Sequence, residues 1–321
     1  MLIFSPFLTL GTEQIVRNRQ SIIFCLILLL LLPYFCYNTP MAVRLFNIVM
    51  SFVSSIISGI IFFLHFNDFS FNAFLYSIIF IITCFFVFLF IYILLYWIFA
   101  VCLSLCFSNT KSYTKLSKIN TWFMYSWYDY FLLFMGGKII VEGLEKVPFG
   151  QRFVVICNHR SNFDHMVIST VLKKEYLCFI SKPENFKIPF AGRIANRAMY
   201  LSLPRNDVKG SLNVIIKAID YIKTDFMSIG LFPEGTRSKN GKVLEFKPGC
   251  LKIPLKAKCP LVEIVMDGTE KLHKNFPFKK TKLKVKIVKV YTTEELSSMN
   301  TVTLSYEIRN SMIMELNKMD I

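Results

Sequence analysis

Charge is nearly missing from the first third of this 321-residue chain: residues 1–107 hold three Lys/Arg and two Asp/Glu. Such a stretch cannot be an ordinary solvated globular surface, and its lack of the ionisable groups that usually mark transport paths disfavours the alternative of a membrane transporter with a cytosolic domain. In and between its longer apolar runs the ionisable residues are His65 and Asp68, at the end of one run, where a solvated loop accounts for them. Histidine is scarce, at four residues, and the nine cysteines show neither metal-binding nor disulfide spacing. They read as small hydrophobes of a reducing compartment, and no metal is indicated. A small-residue cleavage site is missing as well. Arg17 and Arg19 precede a leucine-rich core like the start of a signal peptide, but "LLPYFCYN" after it offers no place to cut.

What is abundant is apolar. The chain is 54% hydrophobic with 33 Phe, far above the globular norm, so part of it faces lipid. The excess lies before Ser108 in three runs, Ile22–Leu32, Leu45–Phe66 and Phe74–Phe107. A span needs about 20 apolar residues. The second and third runs reach that length, whereas the first is shorter, carries Pro33 and suits an interfacial or re-entrant helix. Residues 1–107 are therefore expected to be membrane-embedded and helical. Residues 108–321 carry 34 basic and 19 acidic side chains, a net +15. By the excess of Lys and Arg on the inner side of membranes, with Lys111, Lys115 and Lys118 nearest the last run, this domain is expected to face the cytosol. Within it, "TWFMYSWYDYFLLFMGG" (121–137) has the aromatic density of a helix lying in the headgroup region, or of a packed helix with an aromatic face.

From Lys138 short β-rich runs alternate with helical patterns, from "KIIVEG" and "RFVVICN" to "PLVEIVM" and "LKVKIVKVY". This alternation predicts an α/β domain with a mixed, largely parallel sheet flanked by helices. In "KKTKLKVKIVKV" (279–290) Lys alternates with apolar residues, the period of a half-exposed strand with a basic outer face. It has no interleaved aromatics and no nucleic-acid signature, so no nucleic-acid partner is expected.

Three clusters carry chemistry. In "VVICNHRSNFDH" the strand ends near Cys157, which leaves Asn158 and His159 where open α/β sheets place ligands. Ser161 resembles a helix N-cap with Asp164 three residues on, as in a capping box. Asp164 in that first turn can hold the Nδ1–H of His159 and leave Nε2 as a base; equally, it can serve only as a cap beside an ordinary loop histidine. In "LFPEGTRS" a strand end leads into Gly235, which permits close backbone approach, and Arg237, whose planar fork suits phosphate oxygens. The segment "SKPENFKIPFAGRIANRAMYLSLPR" between them supplies Lys182, Arg193, Arg197 and Arg205. One base–orienter pair and several phosphate-seeking cations beside an apolar anchor point to a phosphorylated lipid.

"NHRSNFD" resembles the His-x4-Asp block of the glycerolipid acyltransferases, and "FPEGTRS" is similar to their Glu-Gly-Thr-Arg block. "SKPENFKIPFAG", "YLSLPR" and "CPLVEIVMDG" follow the family's order and spacing over roughly 138–270, most like the 1-acylglycerol-3-phosphate acyltransferases. The resemblance implies that His159 is the general base and Asp164 its orienting carboxylate. It implies that Arg205, Glu234, Gly235, Thr236 and Arg237 shape a glycerol-phosphate pocket, with Lys182 beside it. It implies an acyl group passed from acyl-CoA or acyl carrier protein to lysophosphatidic acid, with no other cofactor. "YLSLPR" departs from the family in having Ser202, Leu203 and Pro204 where an Ile-Asp pair often precedes the arginine.

The chemistry suits the residues without the family. An alcohol attacking a thioester must lose its proton, and a histidine with a fixed tautomer takes it near neutral pH. Backbone N–H groups following Asn158 are expected to receive the developing oxyanion. Cys157, two residues from His159, is a rival acyl-accepting nucleophile or else a buried filler.

Overall fold

The computed structural model describes residues 40–66, 71–108, 111–204 and 206–319, so the first apolar run and the Arg17/Arg19 pair lie outside the described residues. The chain divides into two compact units, Met1–Phe99 and Ala100–Ile321. In the first, helix α1 (Pro40–Phe66) contains an apolar stretch, Asn47–Phe63, and α2 (Phe71–Leu105) is apolar all round. Segment Asn72–Leu105, 34 residues, is long and apolar enough to cross a membrane, and it leaves Phe86 and Phe90 uncovered. At about 1.5 Å per residue it exceeds a hydrocarbon core of roughly 30 Å. Gly59 lets the two helices close together: a Cβ there would run into the Ile81 side chain. Phe62 stacks on Phe80 at 4.4 Å nearby.

The second unit is built on a seven-stranded sheet in the order β1-β7-β6-β2-β5-β3-β4. Its strands are β1 (Gly137–Glu142), β2 (Val154–Cys157), β3 (Leu177–Ser181), β4 (Leu201–Ser202), β5 (Ser228–Leu231), β6 (Leu261–Asp267) and β7 (Thr281–Tyr291). Every neighbouring pair is parallel except β6–β7, as the strand–helix alternation predicts. Central β2 and β5 are buried at every position, because a parallel strand covered on both faces has no solvent side.

Alternate residues face alternate layers. Val154, Ile156, Ile229 and Leu231 join a core completed by α6 (Val208–Lys223), α7 (Lys252–Ala257) and α10 (Thr301–Met319). Helix α10 contributes Leu304, Ile308, Met312 and Leu316, an i, i+4 stripe. The run "CLKIPLKA" enters this layer as a 3-10 turn followed by α7, with Pro254 in the first turn where its missing N–H does no harm. On the other face, Phe179 of β3 meets His165 of α4 (Asp164–Val171) and Tyr200, whose hydroxyl lies 3.4 Å from that of Tyr128 in α3 (Lys118–Phe134). The aromatic segment forms α3, started by the Ser117 side chain accepting from Asn120 N. Its Phe123, Tyr125, Tyr128 and Leu132 are packed, while Leu133 and Phe134 remain exposed.

Glu263 lies in the middle of buried β6, where Tyr291 donates to it at 3.4 Å, and burial pushes its carboxyl up to about 7. A carboxyl raised on folding is protonated more readily in the native state. Its ionisation therefore removes stability as pH rises from the unfolded value near 4.5 towards 7. Glu263→Gln, which keeps the shape and an acceptor, should stabilise the domain by about 1–3 kcal/mol at pH 8 and by little at pH 4.5. Melting temperatures of both proteins at the two pH values check this; an equal difference at both would contradict it.

Candidate active site

The site grows from the end of β2. Val154–Cys157 pairs with Leu261–Ile264 on one side and, through Val154–Ile156, with Ile229–Leu231 on the other, so the chain leaves the sheet centre at Asn158. The buried Asn158 amide prolongs the ladder by a side chain: Nδ2 donates to Met266 O at 2.9 Å and Oδ1 accepts from Met266 N at 2.8 Å. The next residues turn back over the strand end. Asp164 Oδ2 accepts from Arg160 N at 2.7 Å and Ser161 N at 2.8 Å, and it stands 2.8 Å from His159 Nδ1. One buried carboxylate oxygen thus closes the loop and fixes the ring. The contact at Nδ1 leaves Nε2 as the acceptor of a neutral imidazole.

The His159 ring is stacked on Phe232 at 4.3 Å and 22°, and its side chain is 21% exposed. A ring clamped at one nitrogen and along one face has little rotational freedom, so Nε2 is directed as well as chosen. His165 is on Asp164's other flank but belongs to the core. It meets Tyr128 and Phe179 edge to face, and burial holds its imidazole down at about 4.

One expectation fails and another is narrowed. Helix α4 opens at Asp164, with Phe163 as its N-cap, so Ser161 does not cap it; Ser161 Oγ accepts from Phe163 N at 3.3 Å instead. Only the carboxylate half of the capping box forms. The narrowing follows from the same loop. The N–H groups of Arg160 and Ser161 go to Asp164, and that of His159 goes to Glu234 Oε1 at 2.6 Å. Backbone donors at 159–161 are therefore taken, which leaves the later N–H groups at the start of α4 as the candidates for receiving an oxyanion.

Glu234 is buried, and both of its oxygens serve backbone: Oε1 takes His159 N and Oε2 takes Leu244 N at 2.9 Å. Burial raises its carboxyl above the ordinary value despite those bonds. Its side chain joins the His159 loop to the segment after "EGTRS". Ser238 N adds a return bond to His159 O at 2.8 Å. Arg160, which sequence reasoning left without a role, braces the same region from a side chain only 10% exposed. It bonds to Asp267 at the end of β6 and donates to Gly241 O at 2.8 Å. The signal for it was Arg160 itself, inside the His-x4-Asp block, but nothing local says whether an arginine points to ligand or to protein.

Of the remaining residues singled out, Lys182 is exposed directly after β3. Thr236 and Arg237 are exposed in the loop after β5. Gly235 adopts φ +67°, and a Cβ there would stand 3.1 Å from Lys247 Cε, so this loop carries a further cation close by. Strands β2, β3 and β5 are mutually parallel, which puts His159, Lys182 and Arg237 off one edge of the sheet. Arg205 lies outside the described residues. Arg197 is a brace: it donates to Lys115 O at 2.8 Å and covers the Tyr113 ring at 4.7 Å. Cys157 is fully buried in β2, and burial, with Asp164 and Glu234 adding to it, holds its thiol well above the ordinary value. It is packed as a filler, not poised as a thiolate.

The acyltransferase family model matches residues 138–267. Human 1-acyl-sn-glycerol-3-phosphate acyltransferase alpha is 28% identical over 180 residues, 56% of this chain and 63% of its own length. The 1-acyl-sn-glycerol-3-phosphate acyltransferase of Cocos nucifera is 32% identical over 135 residues, 42% of this chain and 43% of its own length. The chain thus spans less than two thirds of either relative. Among solved structures, the 1-acyl-sn-glycerophosphate (LPA) acyltransferase PlsC of Thermotoga maritima has the same fold. Its TM-score is 0.53 at 24% identity, covering 63% of this chain and 82% of that one. Over residues 138–267 the chain is thus similar to the acyltransferase family, and its curated relatives there are 1-acyl-sn-glycerol-3-phosphate acyltransferases.

Proposed function

We propose that this protein is a membrane-bound enzyme that transfers a fatty acyl group to the free hydroxyl of 1-acylglycerol-3-phosphate, giving phosphatidic acid. The donor is a thioester, acyl-CoA or acylated carrier protein. The observation that carries this reading is the 2.8 Å contact between His159 Nδ1 and Asp164 Oδ2 at the carboxyl edge of the sheet. It prepares a base whose free nitrogen can take a proton from an alcohol. As the acceptor oxygen bonds to the thioester carbonyl carbon, Nε2 of His159 takes the hydroxyl proton. Collapse of the tetrahedral intermediate breaks the C–S bond, and the departing thiolate recovers the proton from the imidazolium. Asp164 stabilises that imidazolium and keeps its orientation. Both substrates bind together, so no acyl-enzyme is formed and Cys157 takes no part.

The exposed cations Lys182 and Arg237 flank this position and suit the acceptor's phosphate, and Arg205 is assigned to the same pocket. The net +15 of residues 108–321 draws in the phosphates of coenzyme A or an acidic carrier protein. Helix α2 serves as the membrane anchor, and Lys111, Lys115 and Lys118 after it keep the catalytic domain in the cytosol. Labelled acyl donor offered with lysophosphatidic acid, another lysophospholipid or glycerol-3-phosphate tests the reading. Label should appear in phosphatidic acid; preferential labelling of another acceptor's product would replace it.

A guanidinium gripping phosphate makes forked, charge-assisted bonds that an ammonium cannot reproduce. Arg237→Lys should therefore raise the acceptor KM with the donor KM nearly unchanged. Losing one such bond costs about 1.5–3 kcal/mol, roughly ten- to hundredfold in acceptor efficiency. Since Arg237 is exposed, Arg237→Ala should melt almost as the parent does. Equal weakening of both substrates would make Arg237 a brace of its loop.

A further inference from the structure

The catalytic reading uses nothing from the segment between β6 and β7, yet that segment holds the most exposed large apolar side chain among the described residues: Phe278, at 93%. Its exposure is not that of a loose loop. Leu272 is fully buried at its base, Lys279 N donates to Asn275 O at 2.8 Å, and Asn275 Nδ2 donates to Thr281 Oγ1 at 3.0 Å. Thr281 N then donates to Gly136 O at 2.9 Å, which ties the loop to the chain just after α3. At that junction Phe134, 70% exposed, meets Phe276 at 5.1 Å, with Leu133 also exposed beside it. Two elements distant in sequence thus present one aromatic prong to the surroundings, where a water-facing protein would rarely hold it.

Within the loop the charge has one sign. Lys274, Lys279 and Lys280 are exposed, and no acidic residue occurs between Lys271 and Tyr291. The topology fixes where the prong lies. Strand β7 begins at Thr281, antiparallel to β6, with Lys284 opposite Asp267, so its start is level with the end of β6. Strand β6 runs parallel to β2. The loop 272–280 therefore projects from the same edge of the sheet as His159.

We propose that Phe134, Phe276 and Phe278, with Lys274, Lys279 and Lys280, form a docking prong for an anionic lipid surface. The rings enter the headgroup region and the lysines pair with lipid phosphates, which turns the His159 edge of the sheet towards the bilayer. The inference goes beyond the catalytic reading, since it concerns how the domain is held at the membrane and not what it transfers.

The test uses full-length protein in lipid nanodiscs, with Phe278→Trp adding one indole to the three native ones. The added emission, taken as variant minus parent, should be blue-shifted in discs containing phosphatidylglycerol and mostly lost when the acyl chains are brominated. In discs of phosphatidylcholine alone, or with Lys279→Ser and Lys280→Ser added, most of that quenching should disappear. An added indole that emits as in water and stays unquenched overturns the proposal, as does quenching indifferent to phosphatidylglycerol. So does a blue shift in detergent that grows with protein concentration, which would assign the prong to a second copy of the chain. No acyl transfer enters the readout, so a protein that docks but does not acylate would sink the catalytic reading alone.

Discussion

Replacing His159 by alanine is expected to lower turnover by about 10²–10⁴-fold, the contribution of a positioned general base, and to leave the fold intact. The structure separates the two effects. The His159 backbone is held at both ends, by Glu234 at its N–H and by Ser238 at its carbonyl, and neither bond involves the imidazole. Removing the ring costs its stacking on Phe232 and its contact with Asp164, while Asp164 keeps its two backbone donors. Asp164→Asn is different. The same oxygen that orients the ring also closes the loop, so this variant should lose turnover on a similar scale and melt at a lower temperature as well. The rate of labelled phosphatidic acid formation, read beside thermal melting, checks both. A folded His159→Ala protein that transfers at the parent's rate would end the assignment of the base.

The second large effect is expected at Glu234. Glu234→Ala strands the N–H groups of His159 and Leu244 away from water, and each unsatisfied donor costs about 1–3 kcal/mol. Such a loss is a large part of a domain's stability, typically about 5–15 kcal/mol. Melting should fall steeply, and turnover should fall with it because His159 is no longer anchored. Glu234→Gln retains one carbonyl acceptor and should cost about half as much of both. A residue that only lined the acceptor pocket would behave otherwise: acceptor KM would rise with melting unchanged. That pattern would return Glu234 to the pocket.

The difference between these roles marks what was legible in the sequence. Strand–helix alternation from Lys138 onward is a local signal of period and turn chemistry, so the largely parallel sheet could be read before any coordinates. The pair His159 and Asp164 was legible through the resemblance of its block and not through its spacing, which fits a capping aspartate beside a loop histidine equally well until the loop is folded. Direction was not legible. "PEGTR" offers a carboxylate and a guanidinium in one loop, and only the fold turns Glu234 inward to backbone while leaving Arg237 in solvent. The N–H groups expected after Asn158 were narrowed for the same reason: an N–H after a strand end looks available until the carboxylate that takes it is placed. Short apolar runs such as "CLKIPLKA" fit either period, and packing beneath α6 decided for a helix.

The account rests on His159 and Asp164 acting as one unit in acyl transfer to lysophosphatidic acid. A double-mutant cycle on that reaction tests it most directly, with kcat/KM measured for the parent, His159→Ala, Asp164→Asn and the double variant in the same membranes. If Asp164 works through the imidazole, its replacement has little left to remove once the ring is gone. The double variant should then be about as slow as His159→Ala alone. Losses that multiply, with the double variant slower by the product of the two single effects, would contradict the account.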